Sequence, residues 1–328
     1  MSVFIIAEAG VNHNNNLQIA KEMIIKASEC GADAIKFQTF KADKLAHKEL
    51  SLAPYQKRSE TLTQYEMLKK LELSEEFYPE LVDTCKENNI EFMSTPFDED
   101  SAVFLNKYVK KFKIGSGDIR NYPLLHEVSK FNKPIILSTG MSDYSVIDNA
   151  LEIIGKKNVS LLHCTTAYPA PYNSINLSVI PELKKKYNLS IGYSDHTEDI
   201  HVSLGAVVMG AEIIEKHFTL DRKLPGPDQK ASIEPNELKN MVKKIRDLEQ
   251  AIGKPEKKIS ETEKENMNVL SRKLIARKDI HKGEIIKYES LTSIRAEKGI
   301  PVEKSKELVG TKLSKDTKKG DFIEFDFK

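Results

Sequence analysis

Residues 192–228 read GYSDHTEDIHVSLGAVVMGAEIIEKHFTLDRKLPGPD, and the reading of this stretch decides the fold. Two short apolar runs, Leu189 to Tyr193 and Ala211 to Ile214, are each bounded by polar residues, so both read as buried strands. His201 to Gly210 between them reads as a helix. His196 and His217 then leave the same ends of neighbouring strands, the edge of a parallel β/α protein where ligands bind. Either histidine alone reads as a hydrogen-bonded cap on its strand. Two in phase, with the carboxylates of Asp195, Glu215 and Asp228 nearby and no cysteine pair, point to a divalent ion with positions open to substrate.

Outward from this unit, strand and helix signals keep alternating. FIIAEAG, GADAIKFQTF, IEFMSTPF, KFKIGSGD, PIILSTGM and VSLLHCTT precede LSIGYSD and AEIIEKHF, with helical patterns such as Leu17 to Cys30, Glu75 to Asn89 and Tyr144 to Gly155 between them. Eight such units predict a closed (β/α)8 TIM barrel of about 250 residues. A doubly wound open sheet is the alternative, since periodicity does not show closure. The charged segment Lys41 to Thr63 is long for a loop and follows a strand's C-terminal end, so it reads either as a lid or substrate loop or as a solvated connection. The helix Glu237 to Gly253 closes the barrel domain, 1–253. Gly, Pro and dense charge in IGKPEKKISETEKEN then mark a linker, 254–268. Residues 269–328 read as a small β-rich module with Lys-Gly turns. Within it KDIHKGEII and KDTKKGDFI align without a gap, which predicts two similar halves.

Composition narrows the function classes. A chain of 328 residues with 40% hydrophobic content has material for a large core and a second small one. Its 50 basic and 49 acidic residues leave a net charge of +1, so no global field argues for nucleic acid or a membrane surface. The apolar start, Val3 to Ala9, is too short for a signal sequence and reads as the first strand. Cys30, Cys85 and Cys164 lie far apart without a C-x-x-C pair, which points to unpaired thiols and a cytoplasmic setting.

The ends of the strands carry the chemistry. Glu8, Lys36, Gln38, Thr95, Lys113, Ser116, Ser138, Thr139, His163, Thr165, Ser194, His196 and His217 all fall there, where a barrel filled only for packing has Val, Ile and Leu. The lysines and serines suit a phosphate, and the GSGD and STG turns let backbone amides approach it. No Walker loop or G-x-G-x-x-G fingerprint supports a nucleotide. Lys36, Lys113 and Lys216 are each candidates for a Schiff base, a role that a metal would duplicate. Alternation places Lys216 on the opposite face from His217, so it reads as a solvated or helix-facing charge. Glu8 reads as a general base, as a ligand for a sugar hydroxyl, or as the ion-pair partner of Lys36. Tyr168, beside Pro169 and Pro171, reads as loop packing.

Taken together, AEAGVNHN, KFQTFKADKL, STPFDEDS, KIGSGD, ILSTGM, LHCTTAYPAPY, GYSDHT, EKHFTLD and GPDQKASIEP resemble the bacterial sialic acid synthase family over nearly the whole chain, including a C-terminal type III antifreeze-like domain. The resemblance implies condensation of phosphoenolpyruvate with the open-chain aldehyde of an N-acetylmannosamine-type sugar, with manganese or magnesium and loss of phosphate by C–O cleavage. It assigns His196 and His217 to the metal, and Lys36, Lys113, Ser116, Ser138 and Ser194 to phosphoenolpyruvate. Glu8, Gln38, Asp118, Tyr168 and Asp228 match positions around the acceptor sugar. Arg295 matches an arginine that reaches into the other subunit of a domain-swapped homodimer. Thr166 stands where some N-acetylneuraminate synthases have Asn and Asp118 where some have Glu, while HCTTAYPAP and GYSDHTEDIHVSLGA are similar to the legionaminic acid branch. Rival expectations are a synthase for another aldose, a class I aldolase, and a non-catalytic sugar-binding or ice-binding protein.

Overall fold

The computed structural model describes residues 2–51 and 63–325, apart from the side chain of Asn268. It falls into two compact units, Met1–Gly253 and Lys254–Lys328.

In the first unit eight strands alternate with helices. The strands are β1 (Phe4–Gly10), β2 (Ala34–Thr39), β3 (Glu91–Pro96), β4 (Phe112–Ile114), β5 (Ile135–Ser138), β6 (Val159–Cys164), β7 (Ser190–Asp195) and β8 (Ile213–His217). They form one sheet in the order β3-β2-β1-β8-β7-β6-β5-β4, every hydrogen-bonded pair is parallel, and β3 and β4 lie side by side so that the sheet closes on itself. This is the (β/α)8 barrel that the strand count predicts, and the open-sheet alternative falls. Its helices are α1 (Leu17–Glu29), α2 (Ala42–Leu45), α3 (Gln64–Leu71), α4 (Tyr78–Glu87), α5 (Glu99–Leu105), α6 (Tyr122–Ser129), α7 (Tyr144–Ile154), α8 (Val179–Tyr187), α9 (His201–Val208) and α10 (Pro235–Ile252).

Local chemistry sets several boundaries. The Asn16 side chain accepts from the amides of Gln18 and Ile19 at the start of α1, Asp98 caps α5, and prolines sit in the first turns of α4, α6 and α10. Asn188 ends α8 in a left-handed conformation. In the segment 41–63, α2 is a short helix and Thr63 opens α3 with a capping box to Glu66. Residues 52–62 of the expected lid lie outside the described residues. Among the described residues no helix is long and apolar enough to cross a membrane.

Strand alternation divides the barrel core in two. Outward-facing residues such as Ile5, Ile35, Phe37, Leu161 and Ile214 pack under the helices in one continuous cluster. Inward-facing Phe4, Ile6, Ala34, Met93, Ile136, Leu162 and Ile213 plug the lower half of the barrel. Gly192 faces this plug, where a Cβ would meet the Ile213 carbonyl and Leu162 Cδ2 at 2.5 Å, so a residue without a side chain lets its neighbours fill the axis. One turn higher along each strand the inward positions become polar.

The second unit begins within the expected linker, where residues 261–270 form a helix, α11 (Glu261–Leu270), rather than plain connection. Ser260 and Glu263 form the capping box that starts it. Beyond lie the antiparallel pair β9 (Arg272–Ala276) and β10 (Leu291–Arg295) and a short helix, α12 (Ser305–Leu308). The repeated segments are related by matching contacts. Ile280 and Thr317 exchange both backbone hydrogen bonds, Lys282 N donates to Asp316 Oδ1 and Lys319 N to Asp279 Oδ1 at 2.7 and 2.8 Å, and Gly283 and Gly320 both take positive φ. Each half thus caps the other around a small core that includes Leu274, Ile286, Leu313 and Ile323.

Candidate active site

The C-terminal ends of the strands open into a cleft of about 310 Å3. Alternation explains its floor: Glu8, Lys36, Thr95, Ser138, Ser194 and Glu215 are inward residues two positions above the apolar plug, Lys113 joins them from β4, and all are buried. Four charges meet there. Lys36 Nζ lies 2.6 Å from Glu8 Oε2 and 3.7 Å from Glu215 Oε2, and Lys113 Nζ lies 3.3 Å from Glu215 Oε1. Lys36 also donates to Thr95 Oγ1 at 3.1 Å, Ser194 Oγ to Glu215 Oε1 at 3.1 Å, and Gln38 Nε2 to Glu8 Oε1 at 3.2 Å.

The shared environment pushes the two carboxyls apart. Burial raises Glu8, to about 7, against the opposing pull of Lys36. Burial would raise Glu215 as well, but Lys113 and Lys36 together outweigh it and hold Glu215 well below the ordinary carboxylate range. Burial lowers Lys113, whereas the carboxylates Glu215 and Glu8 overcome burial at Lys36 and raise it. The floor therefore pairs a fixed anion with a carboxyl that gains and loses a proton near neutrality.

On one flank, Ser116, Gly117, Ser138, Gly140 and Thr166 form a small cradle. Gly140 N donates to Ser116 Oγ at 3.0 Å, and a Cβ on Gly140 would collide with Ser116 Oγ and Thr166 Oγ1. The hydroxyls of Ser138 and Thr166 are buried and have no partner among the described residues, as donors awaiting an anion would be. On the opposite flank, His196 follows β7 and His217 ends β8, with ring centroids 5.4 Å apart. His196 Nδ1 lies 2.8 Å from the Thr165 carbonyl, which fixes a proton on that nitrogen and leaves the lone pair on Nε2. His217 Nδ1 has no hydrogen-bond partner among the described residues, and burial keeps its ring neutral. The Tyr168 ring centroid lies 4.2 Å from that of His196 with the planes tilted by 36°, so it belongs to the site as well as to its loop. Asp228 Oδ2 is 4.0 Å from His217 Nδ1, and burial raises this carboxyl to about 6.

Several expected residues stand elsewhere. Asp195 faces the helices, where it pairs with Lys216 at 3.0 Å, so it is no neighbour of a metal, and Lys216 is buried rather than solvated. Asp118 does not line the cleft; its carboxylate accepts from Asn121 Nδ2 at 3.1 Å in the turn before α6. His163 turns outward to the Ile175 carbonyl at 2.6 Å, Thr139 bonds the Leu162 carbonyl, and Thr165 bonds the Ser174 carbonyl. Arg295 is an exposed residue at the end of β10 in the second unit. No group of three or more His, Cys, Asp or Glu suited to a metal occurs among the described residues. Three features were not anticipated: Cys164, which lines the cleft with Sγ 3.8 Å from His196 Nδ1; the bridging place of Glu215; and an apolar wall of Val11, Leu45, Met67, Leu68, Leu71 and Phe97.

Comparison with known proteins agrees with this geometry. The NeuB family profile matches residues 23–257. N,N'-diacetyllegionaminic acid synthase of Campylobacter jejuni is 46% identical over 97% of this chain and 98% of its own length. The enzyme of the same name from Legionella pneumophila is 47% identical over 96% of this chain and 91% of its own. The crystal structure of N-acetylneuraminic acid synthetase from Leptospira borgpetersenii superposes with a TM-score of 0.74 at 36% identity, covering 82% of this chain and 93% of that one. With a polar barrel mouth of this build and relatives matched end to end, the chain belongs to the NeuB family.

Proposed function

We propose that the protein condenses phosphoenolpyruvate with the open-chain aldehyde of an N-acetylmannosamine-type aldose and water, yielding a nonulosonic acid and inorganic phosphate. The observation that carries this reading is the pairing, at one barrel mouth, of a cationic cradle for a phosphorylated acid with two imidazoles that have free nitrogens. Lys36, Lys113, Ser116, Ser138 and Ser194 are assigned to phosphoenolpyruvate. Glu8, Gln38, Tyr168 and Asp228 line the same cleft and are assigned to the acceptor.

His196 and His217 would hold a divalent ion, manganese or magnesium, and their unengaged nitrogens fit that role. Bound there, such an ion supplies Lewis acidity to the acceptor's aldehyde oxygen. The protein's own groups do the rest. The cradle fixes the phosphate so that C3 of phosphoenolpyruvate faces the aldehyde carbon. As that C–C bond forms, the protonated form of Glu8 gives its proton to the aldehyde oxygen and cationic character develops at C2. Water adds at C2 and gives a proton back to Glu8, whose buried carboxyl titrates near neutrality. The bond between C2 and the phosphate oxygen then breaks as the C2 hydroxyl passes its proton to the departing phosphate, leaving a ketone and releasing phosphate against Lys113 and the serine hydroxyls.

The acceptor is assigned to the 2,4-diacetamido-2,4,6-trideoxymannose type. Its support is the apolar wall, which suits a deoxy methyl and acetamido methyls better than free hydroxyls, together with the two relatives named as legionaminic acid synthases. Arg295, from the second subunit of a domain-swapped dimer, is assigned to acceptor recognition. This assignment, the antifreeze-like character of residues 269–328 and a cytoplasmic location rest on family resemblance. Recovery of activity on mixing Arg295→Ala with His217→Ala chains would support the exchange between subunits.

The deciding experiment measures inorganic phosphate release from phosphoenolpyruvate with manganese, comparing N-acetylmannosamine with the trideoxy sugar, with EDTA and His217→Ala as controls. Metal-dependent release that is faster with the trideoxy sugar is expected. Release with neither sugar, from folded and metal-loaded protein, would reject both acceptors and favour another aldose or a Schiff-base aldolase.

A further inference from the structure

Two of the most deeply buried charges in the barrel lie outside the cleft. Lys216 Nζ is 3.0 Å from Asp195 Oδ2, with side chains 1% and 0% exposed. Lys216 also donates to the Thr197 carbonyl at 2.8 Å. Asp195 Oδ1 accepts from Thr197 N and Oγ1 at 2.9 and 2.8 Å, and Oδ2 from Ser203 Oγ at 2.6 Å. Neither charge faces the substrate, and a buried ion pair is a weak source of net stability, since apolar residues of similar volume often serve as well.

Their position gives a better reason. Asp195 and Lys216 are the last register partners of β7 and β8, and the next residues on those strands are His196 and His217. On its other side His217 is held by backbone: it is the register partner of Glu8, and its carbonyl accepts from Ile233 N at 2.8 Å. His196 lies past the end of the β7–β8 ladder. Lys216 reaches across this gap and grips residues on both sides of His196, the Asp195 carboxylate before it and the Thr197 carbonyl after it.

We propose that Asp195 and Lys216 form a positioning pair that locks the ends of β7 and β8 together and so holds the His196 and His217 rings at the separation one divalent ion needs. The inference rests on the two-histidine metal reading above. Alternation along both strands makes the arrangement economical: the inward residues carry ligands while the outward residues immediately before them fasten the strands.

The test is manganese binding to the full chain, read as loss of the free-ion signal by electron paramagnetic resonance, beside thermal melting. Asp195→Asn and Lys216→Met each leave a buried charge unpaired and are expected to lower Tm. The double variant D195N/K216M removes both charges, so much of the stability returns. It is nevertheless expected to bind manganese at least roughly tenfold more weakly, the range found for partners that orient ligands. Arg246→Met breaks a pair with Asp33 of 2.8 Å beside the start of β2 and should lower Tm without changing manganese affinity. A folded double variant with the wild-type affinity overturns the inference. Should that variant not fold, Ser203→Ala decides, an unchanged affinity overturning the inference and a severalfold loss supporting it. Failure of the wild-type protein to bind manganese would overturn the metal reading and the positioning pair with it, a result distinct from equal binding by both proteins.

Discussion

Glu215 Oε1 lies 3.3 Å from Lys113 Nζ, both side chains buried, and the same carboxylate reaches Lys36 at 3.7 Å. Glu215 thus serves as the counter-ion to both ammonium groups. Glu215→Gln keeps the shape but leaves two ammonium groups without it, a loss on the order of 3 kcal/mol. Inorganic phosphate should return part of that loss, so its effect on Tm is expected to be larger in the variant than in the wild type. Equal phosphate-induced shifts in the two proteins would sink this account.

Gly192 and Gly140 make opposite demands on their surroundings. A Cβ on Gly192 meets the backbone carbonyl of Ile213, which has nowhere to go, so Gly192→Ala is expected to cost about 3 kcal/mol in stability. On Gly140 the collision is with the Ser116 and Thr166 hydroxyls, the former at 2.7 Å, which can swing aside, and with Ser116 Cβ at 3.0 Å, which has to give by only a few tenths of an ångström. Gly140→Ala should therefore melt near the wild-type temperature while KM for phosphoenolpyruvate rises. Melting curves and a phosphoenolpyruvate titration on both variants check the contrast, and a Gly140→Ala protein with a low Tm and unchanged KM would contradict it.

The barrel was legible because its signal repeats: eight apolar runs with polar ends are hard to arrange otherwise, and period-two alternation puts Glu8, Lys36 and His217 inside. The same alternation, used for Lys216, also turns Asp195 away from His196, so that misplacement lay in not applying the rule to the neighbouring strand. Asp118 and the apolar wall are different cases. Asp118 follows β4 through a tight turn, where side-chain direction depends on backbone angles that residue type does not dictate. Met67, Leu68 and Leu71 share a face of α3, yet amphipathicity tells only that the face is covered, not that a cleft lies beneath it. The capping box Ser260 to Glu263 did announce α11, but it sits among lysines and glutamates that read as linker.

His13 gives the fold a pH dependence of its own. It is buried, its Nδ1 accepts from Asn15 N at 2.9 Å, and burial lowers it from 6.5 to about 4. The folded state therefore refuses a proton that the unfolded chain accepts. That stability is fully present above pH 6.5, declines as pH falls from 6.5 to about 4, and is then exhausted. The whole span amounts to about 3 kcal/mol. Denaturant unfolding at a series of pH values should show a shallower slope across that window for His13→Gln than for the wild type. Parallel slopes would exclude His13 as the source.

On the proposed reading of the acceptor, the apolar wall makes its choice a matter of a few contacts. Leu68 is only half-buried and lines the cleft, so replacing it alters the lining with little disturbance to the Val11, Phe40, Met67 and Leu71 cluster behind it. Leu68→Gln keeps good helix propensity in α3 while exchanging a methyl-bearing surface for an amide. A methyl group lodged in an apolar pocket is worth roughly tenfold or more in kcat/KM. The variant is expected to lose about that factor with the 2,4-diacetamido-2,4,6-trideoxy sugar and much less with N-acetylmannosamine, whose hydroxyls gain a partner. The quantity to follow is the ratio of the two kcat/KM values at saturating phosphoenolpyruvate. A ratio that stays constant while both values fall would mean that the wall only supports α3, and the selection of a deoxy acceptor would have to be sought at Asp228 and Gln38 instead.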